Sequence, residues 1–311
     1  MRQAFIATLC ELAKDRGDIV LVCGDLGFSV LEAFADRFPE RFLNVGVAEQ
    51  NMMGVAAGLA ASGKTVFTYS IANFAVARCL EQFRNDVCGQ NLPVIGVSVG
   101  AGAAYGAQGY THHGIEDVTF TRGLPEVAVI SPADLHETRW AVRRLLERRG
   151  PASLRLGRGG EPPVHDRAIE APFGKAIMMR APGRDATILC SGSPLAEAVA
   201  AANRLAAGGY EVGLLSVPTV TPLDVDAIAD ASRISRLLVS VEEHVVEGGF
   251  GGAVAEVIAG LPCPKAHLLR TGIARHLSHL AADQREVRRI HGFDAEGIVR
   301  QVEALLRREA T

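Results

Sequence analysis

Cysteine is scarce in this chain, at six of 311 residues, and no two cysteines form a CxxC pair. There is also no cluster of cysteine and histidine at the spacing of a zinc site, which argues against a zinc module and against a disulfide-stapled fold. We interpret the six as buried thiols of a protein in a reducing compartment. They are Cys10, Cys23, Cys79, Cys88, Cys190 and Cys263, each in an apolar run.

Long apolar runs and an excess of charge are also missing. No stretch is long enough to cross a bilayer, and Glu11, Lys14 and Asp15 interrupt the N-terminal segment, which is not the pattern of a signal peptide. The net charge of -3 gives no electrostatic attraction to nucleic acid or to an anionic membrane. We therefore expect a cytoplasmic protein that binds neither nucleic acid nor membranes, and we predict no metal ligands in this chain.

Short β-branched runs, in contrast, recur along the chain and alternate with helical patterns. Strands that are apolar on both faces and alternate with helices indicate a parallel sheet covered by helices. The length suits two domains: an α/β unit over residues 1–158, a linker rich in Gly, Pro and charge over 159–185, and a second α/β unit over 186–311. The predicted strands cover residues 18–25, 64–70, 92–100, 126–134, 186–192, 210–217, 236–243 and 265–271, and predicted helices include 48–62, 74–88 and 134–149.

Ligands collect in the loops that leave the strands of such sheets, and one of these loops introduces Glu49. This carboxylate opens the helix in "VGVAEQNMMGVAAGLAASGK", among small and apolar residues. The helix dipole stabilises an acid in the first turn by about 0.3–1 kcal/mol, so the spacing fits a helix-start acid and a catalytic acid equally well. In a closed apolar site, desolvation would favour the protonated form, which could share its proton with a ligand nitrogen.

Three other loops carry unusual residues. In "CGDLGFS", Asp25 and Ser29 surround a glycine, although a turn with a helix cap explains them as well. In "SIANFAVAR", Phe74 reaches the end of a strand, where an aromatic residue is more often part of the core. The loop "GAGAAYGAQGYTHHGIED" contains five glycines and the adjacent His112 and His113. Long loops in compact domains are usually functional, and because these histidines lack metal-site spacing, we favour proton transfer or substrate hydrogen bonding.

Four segments stand in a specific order along the chain: "NVGVAEQNMMGVAAGLAASGK", "SIANF", "GYTHHGIED" and "VEEHVVEGGFGGAVAE". Together they closely resemble the C-terminal half of transketolase, and above all the small subunit of split transketolases, in which two chains share the enzyme. The resemblance covers essentially the whole chain. It implies two consecutive parallel-sheet α/β domains, namely the pyrimidine-binding domain of thiamine diphosphate enzymes over 1–158 and the transketolase C-terminal domain over 186–311.

The resemblance also implies roles for individual residues around the cofactor. Glu49 matches the family glutamate that hydrogen-bonds the aminopyrimidine of thiamine diphosphate, and it is the first catalytic residue that we predict. Phe74 matches the phenylalanine that stacks on this ring. We count Ile71 and Asp25 as further cofactor-binding residues, although Ile71 stands where transketolases have an aromatic residue.

His112 matches the family histidine that hydrogen-bonds the donor oxygen, and it is the second predicted catalytic residue. The chain departs from the family at Gly100, where transketolases have a histidine, and at Gln108, where they have an aspartate that contacts the sugar hydroxyl. The usual sugar-phosphate specificity is therefore open, and an unphosphorylated or nucleotide-linked sugar is an alternative. The predicted substrate-binding residues are His112, His113, Gln108, Arg158, Ser29 and Arg2.

The diphosphate-binding domain, with its GDG…N metal motif, is not found in the sequence. The resemblance therefore implies an N-terminal transketolase subunit as partner, which supplies that domain and holds Mg²⁺ or Ca²⁺, in an α2β2 heterotetramer. The expected function is transfer of a two-carbon ketol unit from a ketose to an aldehyde, with thiamine diphosphate as cofactor and sugars or sugar phosphates as substrates. The alternatives are the β subunit of a 2-oxo acid dehydrogenase and a non-catalytic scaffold subunit.

Overall fold

The computed structural model describes residues 1–262 and 265–308, so Cys263 and the last three residues of the second predicted domain lie outside the described residues. The strands are β1 (Ile19–Cys23), β2 (Phe42–Asn44), β3 (Thr65–Ile71), β4 (Val94–Val99), β5 (Ala128–Ile130), β6 (Ala152–Leu156), β7 (Ile177–Arg180), β8 (Ala186–Ser191), β9 (Val212–Ser216), β10 (Thr219–Thr221), β11 (Leu237–Val245) and β12 (His267–Ile273). The α-helices are α1 (Arg2–Leu12), α2 (Glu32–Ala35), α3 (Glu49–Ala61), α4 (Ala72–Val76), α5 (Leu80–Gln82), α6 (Asp117–Thr121), α7 (Leu135–Arg148), α8 (Leu195–Ala207), α9 (Val225–Ile234), α10 (Phe250–Gly260), α11 (Gln284–His291) and α12 (Ala295–Arg308).

These elements form two mainly parallel sheets. The first has the strand order β10-β5-β6-β4-β3-β1-β2 and the second β12-β11-β8-β9-β7. The strands β1, β4 and β8 are buried along their whole length, as expected for sheets covered by helices on both faces. The prediction of two consecutive α/β domains is confirmed, and the five cysteines among the described residues are buried and free.

The structure corrects several details of the sequence prediction. The predicted helix 74–88 is broken at residues 77–79, after α4. It continues as α5 and as a π-helix over Phe83–Cys88. The segment predicted as a linker contains β7, which pairs antiparallel with β9 at the edge of the second sheet. The second half of the chain also contributes β10, which pairs antiparallel with β5 and completes the first sheet. Both antiparallel strands are short edge strands, so their pairing depends on tertiary contacts.

The helix α3 shows why the stretch after Glu49 is rich in small residues. Its buried side, which includes Met52, Ala56 and Ala60, packs in one cluster with Val66 of β3. On the opposite side Gly54 and Gly58 are exposed, and a β-carbon at either position would meet no atom within 4 Å. The inner side therefore forms core, while the outer side is a smooth surface that another backbone could approach closely.

A buried ion pair of the first domain also contacts the second domain. Arg155 of β6 donates to Asp117 Oδ2 at 2.6 Å, with both side chains at most 5% exposed. The same guanidinium donates to the carbonyl oxygen of Gly114 at 2.9 Å and to that of Glu243, in β11 of the second domain, at 3.4 Å. Charge-assisted bonds in a buried setting are strong when every donor is satisfied, so this network fixes the second domain against the loop that follows β4.

Within residues 1–262 and 265–308, no helix combines the length and the apolar character needed to cross a bilayer. The same residues contain no group of three or more His, Cys, Asp or Glu side chains arranged to hold a metal ion.

Candidate active site

Glu49 is the first residue of α3, and its side chain is 1% exposed. One carboxylate oxygen, Oε1, accepts a hydrogen bond from Ser70 Oγ at 2.9 Å. The other, Oε2, accepts one from the Arg78 guanidinium at 2.7 Å. The acid is therefore buried, as a proton-exchanging group should be, but its surroundings are polar rather than purely apolar.

Phe74, in α4, stands beside this carboxylate through the same arginine. The Arg78 guanidinium carbon lies 4.1 Å from the centroid of the Phe74 ring, a cation–π contact. On its other side the Phe74 ring meets the edge of the His112 imidazole, with 5.6 Å between centroids and 65° between planes. Glu49, Arg78, Phe74 and His112 thus form one continuous group of contacts.

Three loops bring this group together at one edge of the first sheet. Glu49 follows β2, Phe74 follows β3 directly, and His112 lies in the loop after β4. Because these strands are parallel neighbours in the set β4-β3-β1-β2, their carboxyl ends share an edge. This is the edge where open α/β sheets bind ligands.

The two adjacent histidines have different surroundings. His112 is partly exposed, and its Nδ1 lies 3.0 Å from Thr111 Oγ1. His113 is 3% exposed, with Nδ1 3.1 Å from the carbonyl oxygen of Ser278 and Nε2 3.2 Å from that of Gly106. Backbone carbonyls thus occupy both ring nitrogens of His113, so the structure does not present it to a substrate as the sequence predicted.

Asp25 and Ser29, in the loop after β1, are both exposed and both have positive φ, 56° and 64°. The Asp25 carboxylate accepts a hydrogen bond from the Asn44 amide at 2.9 Å. Ile71 is the last residue of β3 and is partly buried. A non-glycine residue with positive φ is uncommon and is enriched in functional loops. A binding role for Asp25, Ser29 and Ile71 stays a prediction.

One of the predicted substrate-binding residues, Arg158, lies near another feature, the ring of Tyr105. The Arg158 guanidinium carbon is 5.9 Å from the centroid of this ring. Gly100 has a φ of 86°, and a β-carbon there would overlap the Tyr105 ring. The space that a side chain at position 100 would take is therefore filled by Tyr105, which the sequence reasoning overlooked. A β-carbon on Gly159 would lie 3.4 Å from an Arg2 guanidinium nitrogen, so Arg2 lies beside the residue that follows Arg158. Gln108 is exposed.

Arg78 is the main site residue that the sequence analysis missed. Its position four residues after Phe74 in "FAVAR" was a usable signal, because side chains at this spacing meet when the backbone is helical. The contact with Glu49 spans 29 positions, and such pairing cannot be read from local patterns.

The fold and the site together define a class: two-domain α/β proteins with a buried acid, an aromatic ring and a histidine at the carboxyl edge of the first sheet. Family models narrow this class. The model described as "Transketolase, pyrimidine binding domain" matches residues 1–162, and "Transketolase, C-terminal domain" matches residues 174–298.

Individual relatives agree with these matches. A "Putative transketolase C-terminal section" from Methanocaldococcus jannaschii is 36% identical over 99% of this chain and 97% of its own length. One of the subunits of an apulose-4-phosphate transketolase from Actinobacillus succinogenes is 37% identical over 92% of each chain. A solved structure described as "Split gene transketolase, inactive beta4 tetramer" superposes with a TM-score of 0.88 at 34% identity, covering 98% of this chain and 97% of that one.

The chain therefore belongs to the transketolase family, which depends on thiamine diphosphate, and it is a transketolase-like subunit.

Proposed function

We propose that this chain, paired with a separate diphosphate-binding chain, transfers a two-carbon ketol unit from a ketose to an aldehyde. The observation that carries the proposal is the contiguous group of Glu49, Phe74 and His112 at the carboxyl edge of the first sheet. Three groups with different chemistry, an acid, a flat apolar face and an imidazole, converge there from three loops.

The residues present suit the aminopyrimidine of thiamine diphosphate. A ring of this kind needs a buried carboxyl group for its ring nitrogen and an aromatic face, and Glu49 and Phe74 provide these, with Ile71 and Asp25 at the margin. When bound, the cofactor supplies an acidic carbon that carries the two-carbon unit. The role of Glu49 is to hold and exchange a proton at its carboxyl oxygen, a form of general acid–base catalysis.

His112 has a ring nitrogen available for substrate. We assign it the hydrogen bond to the donor oxygen while the carbon–carbon bond breaks, since an imidazole has ring nitrogens that can donate or accept a hydrogen bond. His113 is left out of this role, because its two ring nitrogens contact carbonyl oxygens of the surrounding backbone.

Arg2 and Arg158 are suited to bind the end of the substrate that does not react. Guanidinium groups bind phosphate-like anions with two bonds, and a relative of this chain is named for a sugar phosphate. We propose a substrate with a terminal anion, held by these arginines with Ser29 and Gln108 nearby. The Tyr105 ring, which fills the space above Gly100, then limits the width of that end.

The names of these relatives support a separate partner chain for this protein. One relative is named as a C-terminal section and another as one subunit of a transketolase, and the solved split-gene homologue is described as inactive as a β4 tetramer. We propose that the active form is an α2β2 heterotetramer, that the partner holds Mg²⁺ or Ca²⁺, and that the assembly is cytoplasmic. The functional units proposed here are residues 1–158, the connection 159–185 and residues 186–311.

The test combines this chain with its purified partner, thiamine diphosphate, Mg²⁺, a ketose phosphate donor and an aldehyde acceptor. We expect ketol transfer by the complex and none by this chain alone. Glu49→Gln keeps the size of the side chain but removes its titratable proton, and we expect kcat to fall by about 100- to 10,000-fold.

The matched control is Glu296→Gln, which changes an exposed acid in the first turn of α12. If Glu49 were only a helix-start acid, both variants would keep wild-type kcat. Formation of acyl-lipoyl product from a 2-oxo acid, in place of ketol transfer, would support the dehydrogenase alternative. Failure of the complex to bind more thiamine diphosphate than the partner alone would support a scaffold.

A further inference from the structure

The candidate catalytic His112 belongs to residues 102–114, which we call the histidine loop. Two reciprocal backbone bonds close its base, from Gly102 N–H to the Gly114 carbonyl at 2.8 Å and from Gly114 N–H to the Gly102 carbonyl at 2.9 Å. Between these glycines the chain forms two short 3-10 turns, Gly106–Gln108 and Tyr110–His112. The position of the imidazole therefore depends on how the whole loop is supported.

The second domain supports this loop from outside. Glu243 Oε1 accepts a hydrogen bond from the buried N–H of Ala103 at 2.8 Å. The loop and this side chain are so close that a β-carbon on Gly102 would lie 2.5 Å from Glu243 Cγ. Further along, a β-carbon on Gly106 would overlap the carbonyl oxygen of Ala282. Contact thus extends along the loop, and each point of contact is too tight for a larger residue.

Glu243 is itself held on all sides. It lies in β11 and is 3% exposed. Its Oε1 also accepts from Gln284 Nε2 at 2.8 Å, and its Oε2 accepts from Arg288 Nε at 2.8 Å and from Ser193 Oγ at 3.3 Å. Arg288 belongs to α11, so a strand and a helix of the second domain both fix this carboxylate. None of these partners is a residue of the candidate catalytic group.

We propose that Glu243 is a positioning residue: it ties the histidine loop to the second domain and so sets the place of His112 for ketol transfer. This inference rests on the proposed function. It gives the second domain a part in the reaction although the cofactor-binding and catalytic residues proposed above lie in the first. Because a reacting group that is misplaced by about 1 Å costs on the order of 100-fold in rate, a small change in loop support has a measurable kinetic effect.

Two variants break the contact from opposite sides. Glu243→Gln keeps the shape of the side chain but replaces one acceptor oxygen with an N–H₂ donor. This group must face either Ala103 N–H or Arg288, which are donors themselves, so one of the two hydrogen bonds is lost. Gly102→Ala leaves the second domain unchanged and pushes the loop away from Glu243, at a position whose φ of 68° already disfavours alanine.

The matched control is Glu242→Gln. Glu242 is the preceding residue of the same strand and is equally buried, but its carboxylate accepts from the N–H groups of Phe250 and Gly251, at the start of α10, instead of from the histidine loop. It therefore reports what the loss of a buried carboxylate does to stability without any direct effect on His112.

The wild type and the three variants are assayed in complex with the partner chain. For Glu243→Gln and Gly102→Ala we expect kcat to fall by about 10- to 100-fold. Thiamine diphosphate affinity by calorimetry should stay unchanged, because Glu49 and Phe74 are not substituted and lie outside the histidine loop. Glu242→Gln should lower the melting temperature and keep wild-type kcat. The proposal is overturned if Glu243→Gln and Glu242→Gln lower kcat equally, if both loop variants keep wild-type kcat, or if their loss of kcat follows an equal loss of cofactor affinity.

Hydrogen exchange measured by mass spectrometry gives a reading that needs no substrate. Glu243→Gln should speed exchange in residues 101–114, whereas Glu242→Gln should speed it in residues 249–256. If the wild-type complex shows no ketol transfer with any donor, the proposed function fails, and the exchange pattern still decides whether Glu243 holds the histidine loop. Equal exchange of residues 101–114 in the wild type and in Glu243→Gln would overturn the positioning role.

Discussion

At the scale of single residues, Arg78 connects the two groups that we assign to the cofactor. Its guanidinium bonds to Glu49 at 2.7 Å and covers the ring of Phe74 at 4.1 Å. A planar cation with N–H donors thus makes both kinds of contact, a hydrogen bond to the acid and stacking on the ring, that an aminopyrimidine would make. A ligand that uses this face of the ring must therefore displace Arg78.

Replacement of Arg78 by alanine tests this competition. The arginine is 41% exposed, so its ion pair and its cation–π contact together contribute about 1–2 kcal/mol. Since this free energy is lost when the ligand displaces Arg78, we expect the dissociation constant of thiamine diphosphate for the two-chain complex to fall by about 5- to 30-fold in Arg78→Ala. Isothermal titration calorimetry measures the change.

The exposed Arg84, which bonds to the neighbouring Asn85, supplies the control, and Arg84→Ala should bind the cofactor like the wild type. A larger dissociation constant in Arg78→Ala would show instead that Arg78 helps to hold the cofactor.

At the scale of secondary structure, the elements that the sequence predicted well are those with a long, one-sided or two-sided apolar pattern. Both β4 and α7 are of this kind, and α7 also has a local start signal, because Asp134 Oδ1 accepts from the N–H groups of His136 and Glu137 at 2.9 and 3.0 Å. The strand β7 was not predicted because it is an edge strand with Met178 66% exposed. Its sequence therefore lacks the apolar pattern of a buried strand.

The candidate site shows the same division. Glu49, Phe74 and His112 were predicted because they belong to characteristic segments, and Phe74 and His112 also follow strands that the sequence predicted. The surroundings of His113 were not predictable, because its partner Ser278 lies 165 positions away. Local sequence thus predicts which loops carry candidate residues, while contacts across the fold decide which of their side chains are accessible.

The start of α10 depends on a side chain from a neighbouring strand. The helix begins in "GGFGG", which offers no capping side chain of its own, and Glu242 of β11 accepts from the N–H groups of Phe250 and Gly251 at 2.6 and 2.7 Å. Burial raises the pKa of Glu242 to about 7, although these two bonds oppose the shift. The carboxylate therefore serves as the cap that the glycine-rich sequence lacks.

Removal of this cap should be measurable in the unfolding of the chain. Glu242→Gln leaves one of the two N–H groups facing an amide N–H₂, and a buried donor without an acceptor costs about 1–3 kcal/mol. Because the raised pKa means that the folded state disfavours the ionised carboxyl group, the wild type loses stability as the pH rises through 7 whereas the glutamine does not titrate. We therefore expect the free energy of unfolding to fall by this amount in urea titrations at pH 5, and by less at pH 8. An unchanged free energy would mean that water reaches the start of α10.

At the scale of the whole molecule, a three-part contact joins the first domain, the connecting segment and the second domain. Glu137 of α7 is fully buried, and its Oε1 lies 2.8 Å from His165 Nε2 and 2.6 Å from Ser216 Oγ of β9. Burial acts to lower the pKa of His165, but the hydrogen bond and the charge of Glu137 outweigh it, and the pKa is raised above 6.5.

This raised pKa gives the domain contact a pH dependence with a definite sign. Because the folded state holds the His165 proton more tightly than the unfolded state, the stabilisation is complete below pH 6.5 and is lost as the pH rises through the folded-state value. His165→Gln should lower the free energy of unfolding by about 1–3 kcal/mol at pH 6, and by less at pH 8.5. Denaturant titrations at the two pH values measure this, and an equal loss at both would rule out a protonated His165 as the cause.

The strand β10 limits where the chain can be cut without exposing the edge of a sheet. This strand of three residues belongs in sequence to the second domain, but it borders β5 and forms the end of the first sheet. A cut in the connecting segment would leave β5 with an open edge, and open sheet edges invite aggregation. Because the second domain completes the sheet of the first, we expect the two domains to fold and to be expressed as a single piece.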